Sequence, residues 1–210
     1  QFVVGPKGHV TGDVFGGGQE VRVEGQVDGD VRAGGSVVRI KKGATVGGEI
    51  MAGGYAVAID SGSTVRRNVY AGGSQLTLDG AIDGDVHGGA TGVHVGGAIG
   101  GDVELEVDPS AGAGPSPQMW SMFPNQPAIE MPPSVAAGLA IDPAAKIAGD
   151  LKVTGPSEPQ IPTGAVAGAH TYEPRVAQAD EEADESPKAL TTFLTWLKRC
   201  LALIVLGLLF

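Results

Sequence analysis

At 210 residues the chain has room for one or two domains, but its 35 glycines and 5% aromatic content rule out a core of large rings. Its glycine is too irregular for collagen, and an apolar fraction of 42% is too high for simple disorder. A net charge of −10 offers no basic track for a phosphate backbone, and the lone Cys200 excludes an intrachain disulfide framework.

In chain order, the first feature is an internal repeat. Units of the form aliphatic-x-Gly-Asp-aliphatic start at Val10, Val27, Val46, Val65, Ile82 and Ile99. Four residues after each start stand Val14, Val31, Ile50, Val69, Val86 and Val103. Eleven on come Val21, Val38, Val57, Leu76 and Val93, and thirteen on come Val23, Ile40, Ile59, Leu78 and Val95. Between them run a small column (Gly16, Ala33, Ala52, Ala71, Gly88) and an all-glycine column: Gly17, Gly34, Gly53, Gly72 and Gly89.

Within each unit the aliphatics sit at even separations, which is strand alternation; no helical period survives. One coil buries about four aliphatic side chains at roughly 1.5–3 kcal/mol each, against a backbone ordering cost of roughly 1–2 kcal/mol per residue. A single coil cannot stand, so the units must stack and share a ladder and a core. The pattern predicts an all-β chain, a β-solenoid. The glycine doublets are expected at corners where φ is positive, with Gly17, Gly34, Gly53, Gly72 and Gly89 as the corner glycines. One unit reads Val65-Arg66-Arg67-Asn68, which places an arginine in a glycine column and requires that column to have a path to solvent.

Residues 1–107 are therefore read as coils and 108–134 as a Pro-rich insertion carrying Met119, Trp120, Met122, Phe123 and Met131. This cluster is read as packing back on the solenoid, with a partner or lipid contact as the alternative. Coils resume over 135–170, where Leu139, Ile141, Ile147 and Leu151 overlay the four aliphatic places and a further coil runs from Ile161 to Gly168. An acidic spacer is expected over 171–187.

Residues 188–210 read as an amphipathic helix that becomes apolar throughout from Cys200, either a transmembrane helix cut short, the favoured reading, or a monotopic insertion. Lys198 and Arg199 would hold its near side at lipid headgroups, and Trp196 suits that interface.

The coils "VDGDVRAGGSVVRI", "VGGEIMAGGYAVAI" and "IDGDVHGGATGVHV" resemble those of the bactofilin family of polymer-forming cytoskeletal proteins. The likeness covers Phe2 to Asp108 and resumes from Leu139 to Val153. It implies a right-handed, roughly triangular β-helix whose members polymerise end to end without nucleotide, associate with membranes and scaffold cell shape and envelope enzymes. The chain departs from that pattern in its Pro-rich insertion and in its long hydrophobic end.

The acidic column Asp13, Asp30, Glu49, Asn68, Asp85 and Asp102 could gather cations at a strand spacing of about 4.8 Å, but an acid beside a turn more often caps nearby amides. His87 and His94 fall in variable, outward columns, and no nucleophile, histidine and acid grouping is visible. No cofactor, metal or nucleic acid is expected. A hexapeptide-repeat acyltransferase would need an aliphatic at every sixth residue, which fails here. An exported surface stalk with the same solenoid is the other alternative. The expectation is a non-catalytic scaffold, membrane-anchored and of bacterial type, associating with itself, a lipid membrane and envelope or cytoskeletal partners.

Overall fold

The structure, a computed structural model, describes residues 1–108 and 129–175. Its strands run β1 (Phe2–Val4), β2 (His9–Val10), β3 (Val14–Val23), β4 (Gln26–Val27), β5 (Val31–Ile40), β6 (Thr45–Val46), β7 (Ile50–Ile59), β8 (Thr64–Val65) and β9 (Val69–Leu78). They continue as β10 (Ala81–Ile82), β11 (Val86–Val95), β12 (Ala98–Ile99), β13 (Val103–Val107), β14 (Gly138–Ile141), β15 (Lys146–Ile147), β16 (Leu151–Gly155) and β17 (His170–Pro174). No helix occurs among the described residues, so no helix long and apolar enough to cross a membrane is found there.

Each coil contributes one long and one short strand, and every strand pairing is parallel. The long strands form a sheet of ten and the short ones a sheet of seven. This is a parallel β-solenoid.

The aliphatic columns stack in register. Val14 pairs with Val31, Val31 with Ile50, Ile50 with Val69, Val69 with Val86, Val86 with Val103, and Val103 with Leu151. A second stack is Val27, Val46, Val65, Ile82, Ile99 and Ile147. Val21, Val38, Val57, Leu76 and Val93 form another, with Val23, Ile40, Ile59, Leu78 and Val95 beside it. All of these residues are buried in one continuous core, as is Ile141. Val10, in an end coil, and Leu139 are only partly buried.

The ten-residue strands bend at their centres. Ala33 and Val38 both pack in the core although five positions separate them, so the two-residue alternation changes phase between them. The chain therefore turns near the predicted glycines, but not by positive φ at those residues. Gly17, Gly34, Gly53, Gly72 and Gly89 lie inside strands, and none has φ in the left-handed region. A Cβ on Gly34 would meet nothing within 4 Å, and on Gly53 only the Gly72 carbonyl at 4.0 Å.

The glycine requirement falls one residue later. A Cβ on Gly35, Gly54 or Gly73 would collide with the carbonyl oxygen of Gly18, Gly35 or Gly54 in the coil before. Close approach of stacked backbones, rather than left-handed conformation, excludes a side chain there. Positive φ occurs at Gly18 (141°), the first glycine of this column, and away from the bend at Gly43 (87°) and Gly62 (81°) in the two longer turns.

The insertion interrupts a single coil. β13 pairs with the first half of β11, from Val86↔Val103 to Ala90↔Val107, and β14 pairs with the second, from Gly92↔Gly138 to Val95↔Ile141. The chain thus leaves at the bend and returns to the same level. Here the small column becomes large, since Gly88 is followed in register by Leu105 and then Val153.

Ile147 bridges Val166, and Ala165 is buried, so the weak repeat at Ile161–Gly168 does form coil structure. β17 then runs past residue 170, into the stretch expected to be an acidic spacer, because it still pairs with β16. The compact unit ends at Arg175. Met119, Trp120, Met122, Phe123 and the expected anchor residues Trp196, Lys198 and Arg199 lie outside the described residues.

Candidate functional site

The acidic column forms a ladder along one corner. Asp13 Oδ1 accepts from Asp30 N at 2.9 Å, and Asp30 Oδ1 from Glu49 N at 2.9 Å. Asn68 Oδ1 accepts from Asp85 N at 3.0 Å, Asp85 Oδ1 from Asp102 N at 2.9 Å, Asp102 Oδ1 from Asp150 N at 2.8 Å, and Asp150 Oδ1 from Ala169 N at 2.8 Å. Each short side chain satisfies a backbone amide one coil further on, where a turn would otherwise leave it unpaired. The column acts as a chain of caps. Among the described residues no group of three or more His, Cys, Asp or Glu is placed to hold a metal ion.

The glycines that precede these residues follow from the same geometry. A Cβ on Gly29, Gly48, Gly84, Gly101, Gly149 or Gly168 would collide with the capping oxygen of Asp13, Asp30, Asn68, Asp85, Asp102 or Asp150. Gly12 has no acid in a coil before it, and a Cβ there would meet nothing within 4 Å.

Arg67 occupies this glycine column in the one coil that follows a glutamate. Glu49 is a methylene longer than aspartate, and among the described residues it is not one of the capping side chains, so its coil lacks the capping oxygen that crowds a Cβ in the others. Arg67 is exposed, as a path to solvent required. The coupling was readable in the sequence, as arginine after glutamate and glycine after aspartate or asparagine, but only once the two columns were known to touch across coils.

The outward columns carry the remaining polar and aromatic groups. Phe15, Arg32, Met51, Tyr70 and His87 succeed one another in register on one wall. The Arg32 guanidinium lies 5.3 Å from the Phe15 ring centroid, and Tyr70 stacks on His87 with centroids 5.3 Å apart. Phe15 and Met51 are 68% and 55% exposed, the largest apolar side chains left open on this wall. His94 lies between two acids, with Nδ1 2.9 Å from Asp79 and Nε2 3.4 Å from Asp142. His87 Nδ1 lies 3.5 Å from Glu104, so both histidines stand beside acids on the outer surface of the coils.

A strap missed at the sequence level crosses the other wall. Glu130 Oε1 accepts from Arg39 Nη1 at 2.9 Å and from Lys41 Nζ at 2.8 Å, both belonging to the coil of β5. Five residues on, Val135 N donates to Gln75 Oε1 on β9 at 3.3 Å. A Cβ on Gly92 of β11 would collide with the Ala136 carbonyl. The segment thus climbs the stack from β5 to β11. The column along this path, Val37 and Ala56, is fully buried although it faces away from the core.

The Lys41 hydrogen bond is the main influence that lowers the Glu130 carboxyl below the usual range. Burial is the next influence and opposes it, while the charges of Lys41, Arg39 and Arg22 reinforce it. The signal that could have revealed the strap was the apolar Val37–Ala56 pair in an otherwise polar outward column.

These features define a class of protein, a parallel β-solenoid repeat protein with capped turns. No family model, curated protein or solved structure matches the chain.

Proposed function

We propose that this chain is a non-catalytic structural scaffold, a rigid solenoid that associates with copies of itself through its coil ends and is held at a membrane by residues 188–210. The observation that carries the reading is the unbroken parallel sheet, whose order ends at β1 on one side and β17 on the other, each with a single neighbour. Terminal strands present unpaired backbone groups, which another parallel coil can meet. The resemblance of the coils to bactofilins supports the same reading, including a right-handed winding and end-to-end growth.

Sedimentation velocity of the full chain in detergent, over a wide range of concentration, tests the self-association. Mass is expected to rise with concentration, and rods are expected by electron microscopy. A single monomeric species at every concentration would remove it. Flotation with lipid vesicles tests the anchor separately: the full chain should float, and a chain ending at Arg175 should stay behind.

A further inference from the structure

We propose that Asp79, His94 and Asp142 form a pH-sensitive clasp, which fastens the resumed coil to the stack when His94 is protonated and loosens it when the ring is neutral. This goes beyond the scaffold reading and does not rest on it. The coil concerned is lightly held, because β14 re-enters after the insertion and pairs with β11 alone. Asp142 follows β14 directly, and its N–H donates to Val95 O at 2.9 Å.

The residues that follow the second aliphatic of each long strand make a column of their own: Glu24, Lys41, Asp60, Asp79, Gly96 and Asp142. Of these only Gly96 lacks a charge, so Asp79 and Asp142 stand on either side of a vacant place. A Cβ on Gly96 would lie 2.6 Å from Asp79 Oδ1, 3.2 Å from His94 Cε1 and 3.3 Å from Asp142 Oδ2. The three side chains thus converge over the glycine. The ring sets Nδ1 2.9 Å from Asp79 Oδ1 and Nε2 3.4 Å from Asp142 Oδ1. Its register partners, Thr77 on β9 and Ala140 on β14, carry no charge, so the two aspartates are the titratable groups that face it. Among the described residues, neither acid pairs with a lysine or an arginine.

Earlier coils put a permanent cation in the place of His94. Arg39 Nε donates to Asp60 Oδ2 at 2.9 Å, and Arg22 pairs with Glu24. Histidine makes the equivalent pairing conditional. A neutral imidazole has one N–H and one acceptor nitrogen, so with Nδ1 donating to Asp79 a lone pair at Nε2 faces the Asp142 carboxylate. The imidazolium has a donor on each side and sets its charge between the two acids. The docked coil therefore binds the proton more tightly than the undocked one. Docking is firmest at the acid side of histidine's ordinary range, roughly pH 5 to 8, and that contribution fades as pH rises through it.

Amide hydrogen exchange on the full chain at roughly pH 5.5 and 8 tests the clasp, read as protection factors so that the intrinsic pH dependence cancels. The Asp142 amide should be protected roughly twofold to fivefold more at the lower pH. The Asp60 amide, bonded to Ile40 O at 2.8 Å beside Arg39, is the internal control and should not change. His94→Gln should hold the Asp142 amide at the high-pH level throughout, and His94→Arg at the low-pH level throughout. This column already carries arginine, alanine and threonine, so both variants suit the fold. Equal protection of Asp142 at the two pH values would overturn the proposal. So would a rise that persists in His94→Gln or His94→Arg, or one shared equally by Asp60.

Discussion

At the level of single residues, the two glycine columns of the bend make opposite predictions. Gly34→Ala places its methyl in open space on a strand, and removing glycine's excess freedom should leave stability unchanged or raise it by about 0.5–1 kcal/mol. Gly54→Ala drives a methyl into the Gly35 carbonyl and should cost about 1–3 kcal/mol. Chemical denaturation of the two variants decides the matter, and a larger loss for Gly34→Ala would reverse the assignment. The repeat made both columns visible. It did not reveal which one faces a neighbouring carbonyl, because that depends on the phase change inside a strand that reads as continuous. The capping ladder leads to a second test, a double-mutant cycle. Glu49→Asp alone should gain nothing, since Arg67 fills the space its oxygen needs, and Arg67→Gly alone should cost a few tenths to about 1 kcal/mol. Together they complete the ladder to the Asn68 amide, and a favourable coupling of roughly 1 kcal/mol is expected. Strict additivity in urea unfolding would show that the two positions do not share that space.

Among the elements, the strap from Glu130 to Ala137 depends on charge at one end and on backbone bonding at the other. Glu130 has a lowered pKa when docked, so ionisation favours the docked strap above the ordinary carboxylate range, and that contribution fades as pH falls through the lowered value. The protection factor of the Val135 amide, its exchange rate relative to the intrinsic rate at the same pH, should therefore fall on acidification while the coils stay protected. Glu130→Gln should show the faster exchange already at neutral pH. Unchanged protection in both conditions would mean that packing over Val37 and Ala56 holds the strap without the ion pairs. The strands were legible from alternation alone, and the return of the coil at Leu139 and Ile141 from its overlay on earlier units. The strap was not, because it has no repeat and its partners Arg39, Lys41 and Gln75 sit in columns that vary from coil to coil. The split of one coil into β13 and β14 was likewise hidden. Only pairing to the two halves of β11 shows that residues separated by the insertion stand at one level.

For the molecule as a whole, the sequence carried the architecture because each aliphatic column repeats an unvarying side-chain class at a nearly constant interval, and stacked parallel coils are the arrangement that buries all of them at once. The polar columns carried less, since their meaning lies in contacts between coils rather than within one. The capping ladder has a further implication. Every capping oxygen reaches forward, from an earlier coil to the amide of a later one, so the stack has an intrinsic direction written in its side chains as well as its backbone. A duplicated or deleted segment preserves this corner when it runs from one such glycine to the residue before a later one and leaves each glycine behind an aspartate or asparagine of the preceding coil. Lengthening by inheritance is thus constrained by the junction, and the Glu49–Arg67 pair marks a place where both sides of one junction differ together.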